Sequence, residues 1–222
     1  MGAIFFSVDL ELVRRLKSVL PLTAFVETGT FQGDTAELVA PLFASVRTIE
    51  LSEQLHQRAV SRLRERANVT CLYGDSARVL RELKSSLAGQ GVVYWLDAHW
   101  CGSATAGETR ECPLLDELDA IAPLDEHDVV LIDDARLFLA PPPAPHDPNQ
   151  WPSLEVVVER LRAGASQHRL SVVNDMMIFV PPAAHAAVVS YARSRGIDLR
   201  ALVQQALRAA PAVPATAVHA SE

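Results

Sequence analysis

Acidic residues stand at the ends of five apolar stretches along the chain. The stretches close on Glu27, Glu50, Asp75, Asp97 and the pair Asp133–Asp134. If they are parallel strands, their carboxyl ends meet at one edge of a sheet, where open α/β sheets bind ligands. Carboxylates gathered there can accept hydrogen bonds from hydroxyl and amino groups or pair with a cation. The spacing therefore predicts a single ligand-binding cleft with an acidic lining.

The first acid precedes a turn that contains two glycines. In the segment "ETGTFQG", Glu27 is followed by Gly29 and Gly33, and a helical pattern begins at Asp34. Glycines between a strand and a helix let a ligand approach the backbone closely. Their order differs from the G-x-G-x-x-G fingerprint of dinucleotide binding, and a carboxylate before the turn would repel a phosphate. A positively charged ligand is predicted here instead.

The next two acids suit a nucleoside. A carboxylate near the end of the second strand, here Glu50, can accept hydrogen bonds from both ribose hydroxyls. Asp75 and Ser76, in the segment "YGDS", are suited to the edge of an adenine ring. With Glu27 they favour adenosine that carries a cationic amino-acid tail over NAD. A dehydrogenase and a sugar-nucleotide enzyme are disfavoured because the phosphate-binding glycine pattern is missing.

The elements that must position these acids alternate between strand-like and helix-like stretches. The apolar runs are too continuous for a half-exposed sheet and are typical of strands buried on both faces. Helical patterns at 34–43, 52–67, 76–88 and 113–121 separate them, and Ser52 is a predicted N-cap. Such alternation predicts a parallel sheet covered by helices. The five predicted strands are "TAFVET", "SVRTIEL", "NVTCLYG", "GVVYWLDA" and "DVVLIDDA".

The pattern changes after the fifth strand. A proline-rich loop leads to a helix at 153–164, and two β-prone halves then meet at Asn174–Asp175, which predicts an antiparallel hairpin at the sheet edge. The fold class is therefore α/β, with a Rossmann-like, mostly parallel sheet of seven strands and helices on both faces. We expect one domain at 1–210, with an N-terminal helical extension at 1–20 and a flexible tail at 211–222.

The motif order resembles that of the class I methyltransferases that use S-adenosylmethionine. The resemblance covers roughly residues 25–135 and rests on "VETGTFQGDT" as the glycine-loop motif, "TIEL" as the acidic ribose motif and "YGDS" as the adenine motif. It implies an enzyme that binds S-adenosylmethionine at the carboxyl ends of the strands. The cofactor-binding residues it implies are Glu27, Thr28, Gly29, Thr30, Phe31, Gly33, Glu50, Leu51, Asp75, Ser76 and Asp97.

Three acids after the fourth and fifth strands predict a metal ion. Asp97, Asp133 and Asp134 would repel one another in one cleft unless a cation lay between them, and oxygen ligands suit Mg²⁺. The arrangement is similar to catechol O-methyltransferase and to the metal-dependent sugar O-methyltransferases of macrolide and aminocoumarin biosynthesis. This similarity implies Mg²⁺ held by the three acids and a substrate held by its vicinal hydroxyls. His99 is the candidate base, because it lies two residues past Asp97 and can point into the cleft. The chain departs from catechol O-methyltransferase here, since that family has a lysine base and no lysine follows Lys84.

Other interpretations of the segment after the fourth strand stay open. His99, Cys101 and Cys112 could bind zinc, with Glu108 or Glu111 as a fourth ligand, although their spacing matches no common zinc motif. The stretch from His99 to Glu111 is long enough to form a lid over the substrate. The predicted substrate contacts are Trp100, His99, Arg136 and Trp151.

Composition excludes several classes of partner. The net charge is −7, the isoelectric point is about 5.5 and no basic run occurs, so nucleic acid is an unexpected partner. No apolar window suits a membrane span, no secretion signal is visible, and three cysteines fit reduced thiols, so we expect a cytoplasmic protein. A homodimer stays open, since the C-terminal helix could pack on a partner chain. The expected activity is O-methylation of a small molecule. A metal-free N- or C-methyltransferase and a non-catalytic partner subunit are the alternatives.

Overall fold

The computed structural model describes residues 7–100, 107, 109–198, 200–201, 204–205 and 208. Seven strands form one sheet in the order β3-β2-β1-β4-β5-β7-β6, in which β1 to β5 are parallel and β7 is antiparallel to both neighbours. The strands are β1 Ala24–Thr28, β2 Ser45–Glu50, β3 Val69–Tyr73, β4 Val92–Leu96, β5 Val129–Ile132, β6 Arg169–Val173 and β7 Met176–Val180. The α/β class, the mostly parallel seven-stranded sheet and the C-terminal hairpin are confirmed.

Helices cover both faces of the sheet and bury two apolar clusters, one on each side. The helices are α1 Leu10–Val19, α2 Asp34–Val39, α3 Glu53–Leu63, α4 Ser76–Leu87, α5 Leu114–Ile121, α6 Arg136–Leu139, α7 Leu154–Gly164 and α8 His185–Arg195. Helix α1 packs into the core, because its Leu12, Val13 and Leu16 are fully buried. No helix among the described residues has the length and apolar character needed to cross a membrane.

Two elements differ from the sequence-based prediction. Helix α2 is shorter than expected and passes into a 3₁₀ turn at Ala40–Leu42, because Pro41 cannot donate the backbone hydrogen bond that would continue the helix. Strand β3 was expected to be buried on both faces, yet its residues are partly exposed. It lies at an edge of the sheet, whereas β1, β4 and β5 are central and buried at every position.

The hairpin between β6 and β7 turns through the two residues that the sequence singled out. Asn174 and Asp175 have positive φ values of 52° and 66°, as a two-residue type I′ turn requires. Strand β7 pairs with β5, so the turn lies at the end of the sheet where β5 delivers its acids. The hairpin therefore reaches the edge that we expect to bind the ligand.

The glycine turn after β1 is shaped by contacts with protein. Gly29 has a φ of +79°, and a Cβ atom built on it would lie 2.2 Å from the carbonyl oxygen of Asp97. Gly33 has a φ of +82°, and its Cβ would lie 3.0 Å from Cδ1 of Leu63. Gly29 is thus required by the close approach of the residue that follows β4, and Gly33 by the packing of α3.

We expect Gly29→Ala to destabilise the protein much more than Gly89→Ala. Gly89 has a similar φ of +73°, but a Cβ there would meet nothing within 4 Å. The Gly89→Ala control should therefore lose about 1–2 kcal/mol of unfolding free energy, because an alanine is disfavoured in the left-handed conformation. Gly29→Ala adds overpacking to this strain and should lose about 2–5 kcal/mol of unfolding free energy. Urea unfolding of both variants measures the difference, and equal losses would contradict the contact with Asp97.

Candidate functional site

One cavity opens at the carboxyl ends of β1 to β4, where the strand order reverses between β1 and β4. Its volume is about 260 Å³. Such a switch point is the usual ligand crevice of an open α/β sheet. Thr28 and Gly33, by contrast, do not line this cavity. The predicted site residues that line it are Glu27, Gly29, Thr30, Phe31, Glu50, Leu51, Asp75, Ser76, Asp97 and His99.

Glu27 is a buried carboxyl group at the base of the cavity. Glu27 is only 2% exposed, and the Thr48 hydroxyl donates a hydrogen bond of 2.6 Å to its Oε2. The Thr48 hydroxyl is in turn hydrogen-bonded to the Thr30 hydroxyl at 2.5 Å. Burial raises the pKa of Glu27 to about 8, against the lowering effect of the Thr48 hydrogen bond and with the help of the charges of Asp97 and Glu50. The group is therefore mostly neutral at pH 7, and a cation in the cavity would favour its ionised form.

Glu50 closes the turn on the other side of the cavity. Its Oε2 accepts from the backbone N–H of Phe31 at 2.9 Å, and its Oε1 accepts from the N–H of Ser52 at 2.8 Å. Phe31 is held at a φ of 49°, a conformation that is uncommon for a bulky residue. Each carboxylate oxygen can accept a further hydrogen bond, so Glu50 fixes the turn and can still bind hydroxyl groups in the cavity.

Asp75 and Ser76 begin helix α4. Oδ1 of Asp75 caps the helix by accepting from the N–H of Arg78 at 2.9 Å. Its Oδ2 lies 3.3 Å from the guanidinium of Arg110, which follows β4 and also pairs with Asp116. The two sides of the cavity mouth are therefore joined by an ion pair between Asp75 and Arg110.

A buried acid on α5 supports the floor of the cavity, and the sequence analysis missed it. Glu117 is 1% exposed, and its Oε1 has no hydrogen-bond partner among the described residues. Burial raises its pKa to about 7, while hydrogen bonds from Ser76 and Thr28 act to lower it. Thr28 in turn accepts from the N–H of Asp97 at 3.2 Å. The apolar stripe Leu114, Leu118 and Ile121 surrounds Glu117 at helical spacing, which is the signal that could have revealed it.

His99 binds Asp134 beside the cavity. Nε2 of His99 lies 2.6 Å from Oδ2 of Asp134 and 3.6 Å from Oδ1 of Asp97. Asp134 is buried, which acts to raise its pKa, but the hydrogen bond and charge of His99 and the hydrogen bond of Arg136 lower that pKa to about 2. Asp134 is therefore an ionised acceptor at neutral pH, and we assign the Nε2 proton of His99 to this hydrogen bond.

The three acids predicted to bind Mg²⁺ lie near one another but do not form a ligand set as they stand. Burial and the charges of neighbouring acids raise the pKa of Asp97 to about 6 and that of Asp133 to about 7, and Asp133 Oδ2 is buried without a partner in the described residues. Asp134, however, is bound by His99 and Arg136. Within the part of the chain that is described, no three His, Cys, Asp or Glu side chains are placed to hold a metal ion.

The zinc alternative gains no support from the described residues. Cys101 and Glu108 lie outside them, as does most of the expected lid, although Thr109 and Arg110 line the cavity. Cys112 is partly buried, and the carboxylate of Glu111 is occupied by protein donors.

Of the four predicted substrate contacts, only His99 lines the cavity. Trp100 and Trp151 are 8% and 7% exposed, and Trp151 packs against the His99 ring with centroids 5.5 Å apart. The indole N–H of Trp151 donates to Glu111 at 2.8 Å, so Glu111 holds Trp151 behind His99. Arg136 pairs with Asp134 and with Asp175 of the hairpin turn. The sequence analysis identified Asp175 as a turn residue but not its ion pair with Arg136, and nothing local in the sequence indicates that contact.

Comparison with known proteins supports the fold. No family model matches the chain, and no curated protein sequence matches it. A Staphylococcus aureus protein assigned as a caffeoyl-CoA O-methyltransferase matches with a TM-score of 0.51 at 14% identity, over 80% of this chain and 86% of that one. An O-methyltransferase from Bacillus cereus in complex with SAH matches with a TM-score of 0.52 at 17% identity, over 77% and 79%. The chain therefore has the α/β fold of class I S-adenosylmethionine-dependent O-methyltransferases.

Proposed function

We propose that this protein transfers the methyl group of S-adenosylmethionine to a hydroxyl group of a small molecule. The observation that carries the proposal is the cavity at the switch point of the sheet, which is lined by Glu27, Glu50, Asp97 and His99. A cation-binding carboxyl, a ribose acceptor and a base thus face one space. The net charge of −7 favours a small acceptor over a nucleic acid.

The described residues fit the chemical groups of S-adenosylmethionine. Glu27 is buried and gains from a cation, as the amino-acid end of the cofactor provides. Glu50 has lone pairs left for the two ribose hydroxyls after binding Phe31 and Ser52. Asp75 and Ser76 line the same cavity, and there they would contact the edge of the adenine ring. When bound, the cofactor supplies an electrophilic methyl group on a sulfonium centre.

His99 would remove the proton of the acceptor hydroxyl. Because Asp134 is ionised and accepts from Nε2, it fixes the orientation of the His99 ring and the position of its Nε2 proton. Asp134 also stabilises the imidazolium that forms. The ring is held from behind by Trp151, so the geometry is set before the acceptor binds.

Mg²⁺ dependence remains a prediction from the sequence. It is supported by the raised pKa values of Asp97 and Asp133, which a cation would lower, and by the buried Oδ2 of Asp133. It is opposed by the binding of Asp134 to His99 and Arg136.

The reaction is tested with methyl-labelled S-adenosylmethionine and three hydroxyl acceptors: catechol, caffeoyl-CoA and a methyl glycoside. We expect labelled O-methyl product from at least one of them. Activity that is lost in EDTA and restored by Mg²⁺ would confirm the metal, whereas undiminished activity would assign deprotonation to His99 and Asp134 alone.

A calorimetric titration with S-adenosylmethionine separates the alternatives. Binding without O-methylation would favour a metal-free N- or C-methyltransferase, which amine acceptors would then reveal. A non-catalytic subunit that keeps the fold should tolerate Glu27→Gln and Glu50→Ala without loss of function. Absence of binding would contradict the proposal.

A further inference from the structure

The turn of the C-terminal hairpin is bound directly to the segment that follows β5. Three oxygen atoms of Asp175 contact this segment. Its carbonyl oxygen accepts a hydrogen bond from the N–H of Ala135 at 2.8 Å, and its Oδ1 accepts one from the N–H of Arg136 at 2.8 Å. Its Oδ2 pairs with the Arg136 guanidinium. One side chain of the hairpin, 39 residues further along the chain, therefore fixes both the backbone and the side chain of Arg136.

The guanidinium of Arg136 continues the contact toward the candidate base. Its Nη1 lies 2.5 Å from Oδ1 of Asp134, whose Oδ2 lies 2.6 Å from Nε2 of His99. The result is a continuous row of charged and hydrogen-bonded groups, Asp175, Arg136, Asp134 and His99. The side chains of Asp134 and His99 are 2% and 5% exposed, so water screens their contact little. Arg136 is 44% exposed, whereas its partners Asp134 and Asp175 are 2% and 8% exposed, so its two ion pairs are buried only on the carboxylate side.

Asp134 needs such support because its backbone is unfavourable. Its φ of 53° lies in the left-handed region, which a residue with a side chain keeps only when its surroundings hold it there. The two residues after it are the ones bound by Asp175. The tight hairpin turn, with Asn174 and Asp175 both at positive φ, gives that support a fixed position.

We infer that Asp175, acting through Arg136, is a positioning residue that holds the Asp134 carboxylate against His99. The inference rests on the proposed function for its catalytic meaning, because His99 is the base of that proposal. It gives Arg136 a role in aligning Asp134, in place of the substrate contact expected from the sequence. It also assigns the antiparallel hairpin a role in positioning a residue of the site.

The test uses the proton in the hydrogen bond between His99 and Asp134. A short hydrogen bond from a histidine nitrogen to a buried carboxylate gives a proton resonance far downfield of the amide region, protected from exchange with water. We expect this resonance in the full-length protein and its loss in Asp134→Asn, which assigns it. We further expect the resonance to be lost in Asp175→Asn. Asparagine can still accept from the Arg136 N–H and can adopt the positive φ of the turn, but it removes the negative charge that pairs with Arg136. Arg136→Gln should have the same effect.

Asn174→Gly is the matched control. Asn174 belongs to the same turn and also has positive φ, but its side chain binds the backbone of Arg195 and Ile197 rather than the Asp134 segment. The resonance should persist in this variant. Retention of the resonance in both Asp175→Asn and Arg136→Gln, or its loss in Asn174→Gly as well, would overturn the inference.

S-adenosylmethionine binding, measured by calorimetry on the same samples, keeps this inference separate from the proposed function. We expect the dissociation constant of Asp175→Asn to stay within about twofold of the parent value, since Asp175 does not line the cavity. A downfield resonance that responds as expected in a protein that does not bind S-adenosylmethionine would support the row of contacts and reject the methyltransferase.

Discussion

His99→Gln is expected to lower the rate of methyl transfer by about 100- to 10,000-fold, the range that general-base catalysis contributes. Glutamine can still donate to Asp134 from its side-chain amide, but it cannot take a proton from the acceptor hydroxyl. Binding of S-adenosylmethionine should change little, because the proposed cofactor contacts are made by Glu27 and Glu50. The change is measured as turnover with the acceptor that gives the most product.

The control for this variant is His185→Gln. His185 begins helix α8, is exposed and lies outside the cavity, so its turnover should match that of the parent. A His99→Gln enzyme with undiminished turnover would contradict the role of His99 as the base. A large loss of S-adenosylmethionine affinity in the same variant would instead make His99 a cofactor-binding residue.

The affinity for S-adenosylmethionine is expected to rise with pH by about 50-fold between pH 6 and pH 8. Burial raises the pKa of Glu27 to about 8 in the free protein, so its ionised fraction grows from about 1% at pH 6 to about one half at pH 8. A cation binds better to the carboxylate, so binding at pH 6 must release a proton. Above pH 8 the affinity should gain at most about twofold more, because the remaining half of Glu27 ionises while the cofactor's own amino group begins to lose its charge.

The same pKa shift has the opposite effect on the stability of the free protein. A carboxyl group whose pKa is higher in the folded than in the unfolded state binds more protons when folded, so stability falls as pH rises from the unfolded pKa toward about 8. Calorimetry at several pH values measures binding, and thermal unfolding measures stability. The two slopes should have opposite signs.

Glu27→Gln is the matched variant for both measurements. Glutamine has the same length and can accept the Thr48 hydrogen bond, but it cannot ionise. Its affinity for S-adenosylmethionine should be weak and nearly independent of pH between 6 and 8. A variant that kept the pH dependence of the parent would assign that dependence to another buried acid, such as Glu117, whose pKa is raised to about 7.

The positions of the acids show how the fold combines binding and chemistry at a cost in stability. Glu27 and Glu117 are buried and Asp97 is partly buried, and all three have raised pKa values, so the free protein contains carboxyl groups that are poorly solvated. Each lies where a strand ends or where a helix packs beneath the cavity. A bound cation would offset part of this loss of stability, so the affinity for a cationic cofactor should depend on the charge of the cavity.

The sequence by itself determined the fold and the edge of the sheet at which the acids gather. The continuous apolar runs of β1, β4 and β5 could only be buried strands, and the alternation with helices required a parallel sheet. Because parallel strands end at one edge, the acids that follow them had to converge there. The pair Asn174 and Asp175 also predicted the hairpin, since the preference of these residue types for positive φ in a two-residue turn does not depend on distant contacts.

The tertiary structure alone decided which of these acids touch, and what they touch. The pairing of His99 with Asp134 spans 35 residues, and that of Arg136 with Asp175 spans 39. Such contacts depend on how β4, β5 and β7 lie side by side, which no local pattern encodes. Gly29 illustrates the same limit: the turn could be predicted, but the carbonyl of Asp97 that excludes a side chain there is brought in by the neighbouring strand β4.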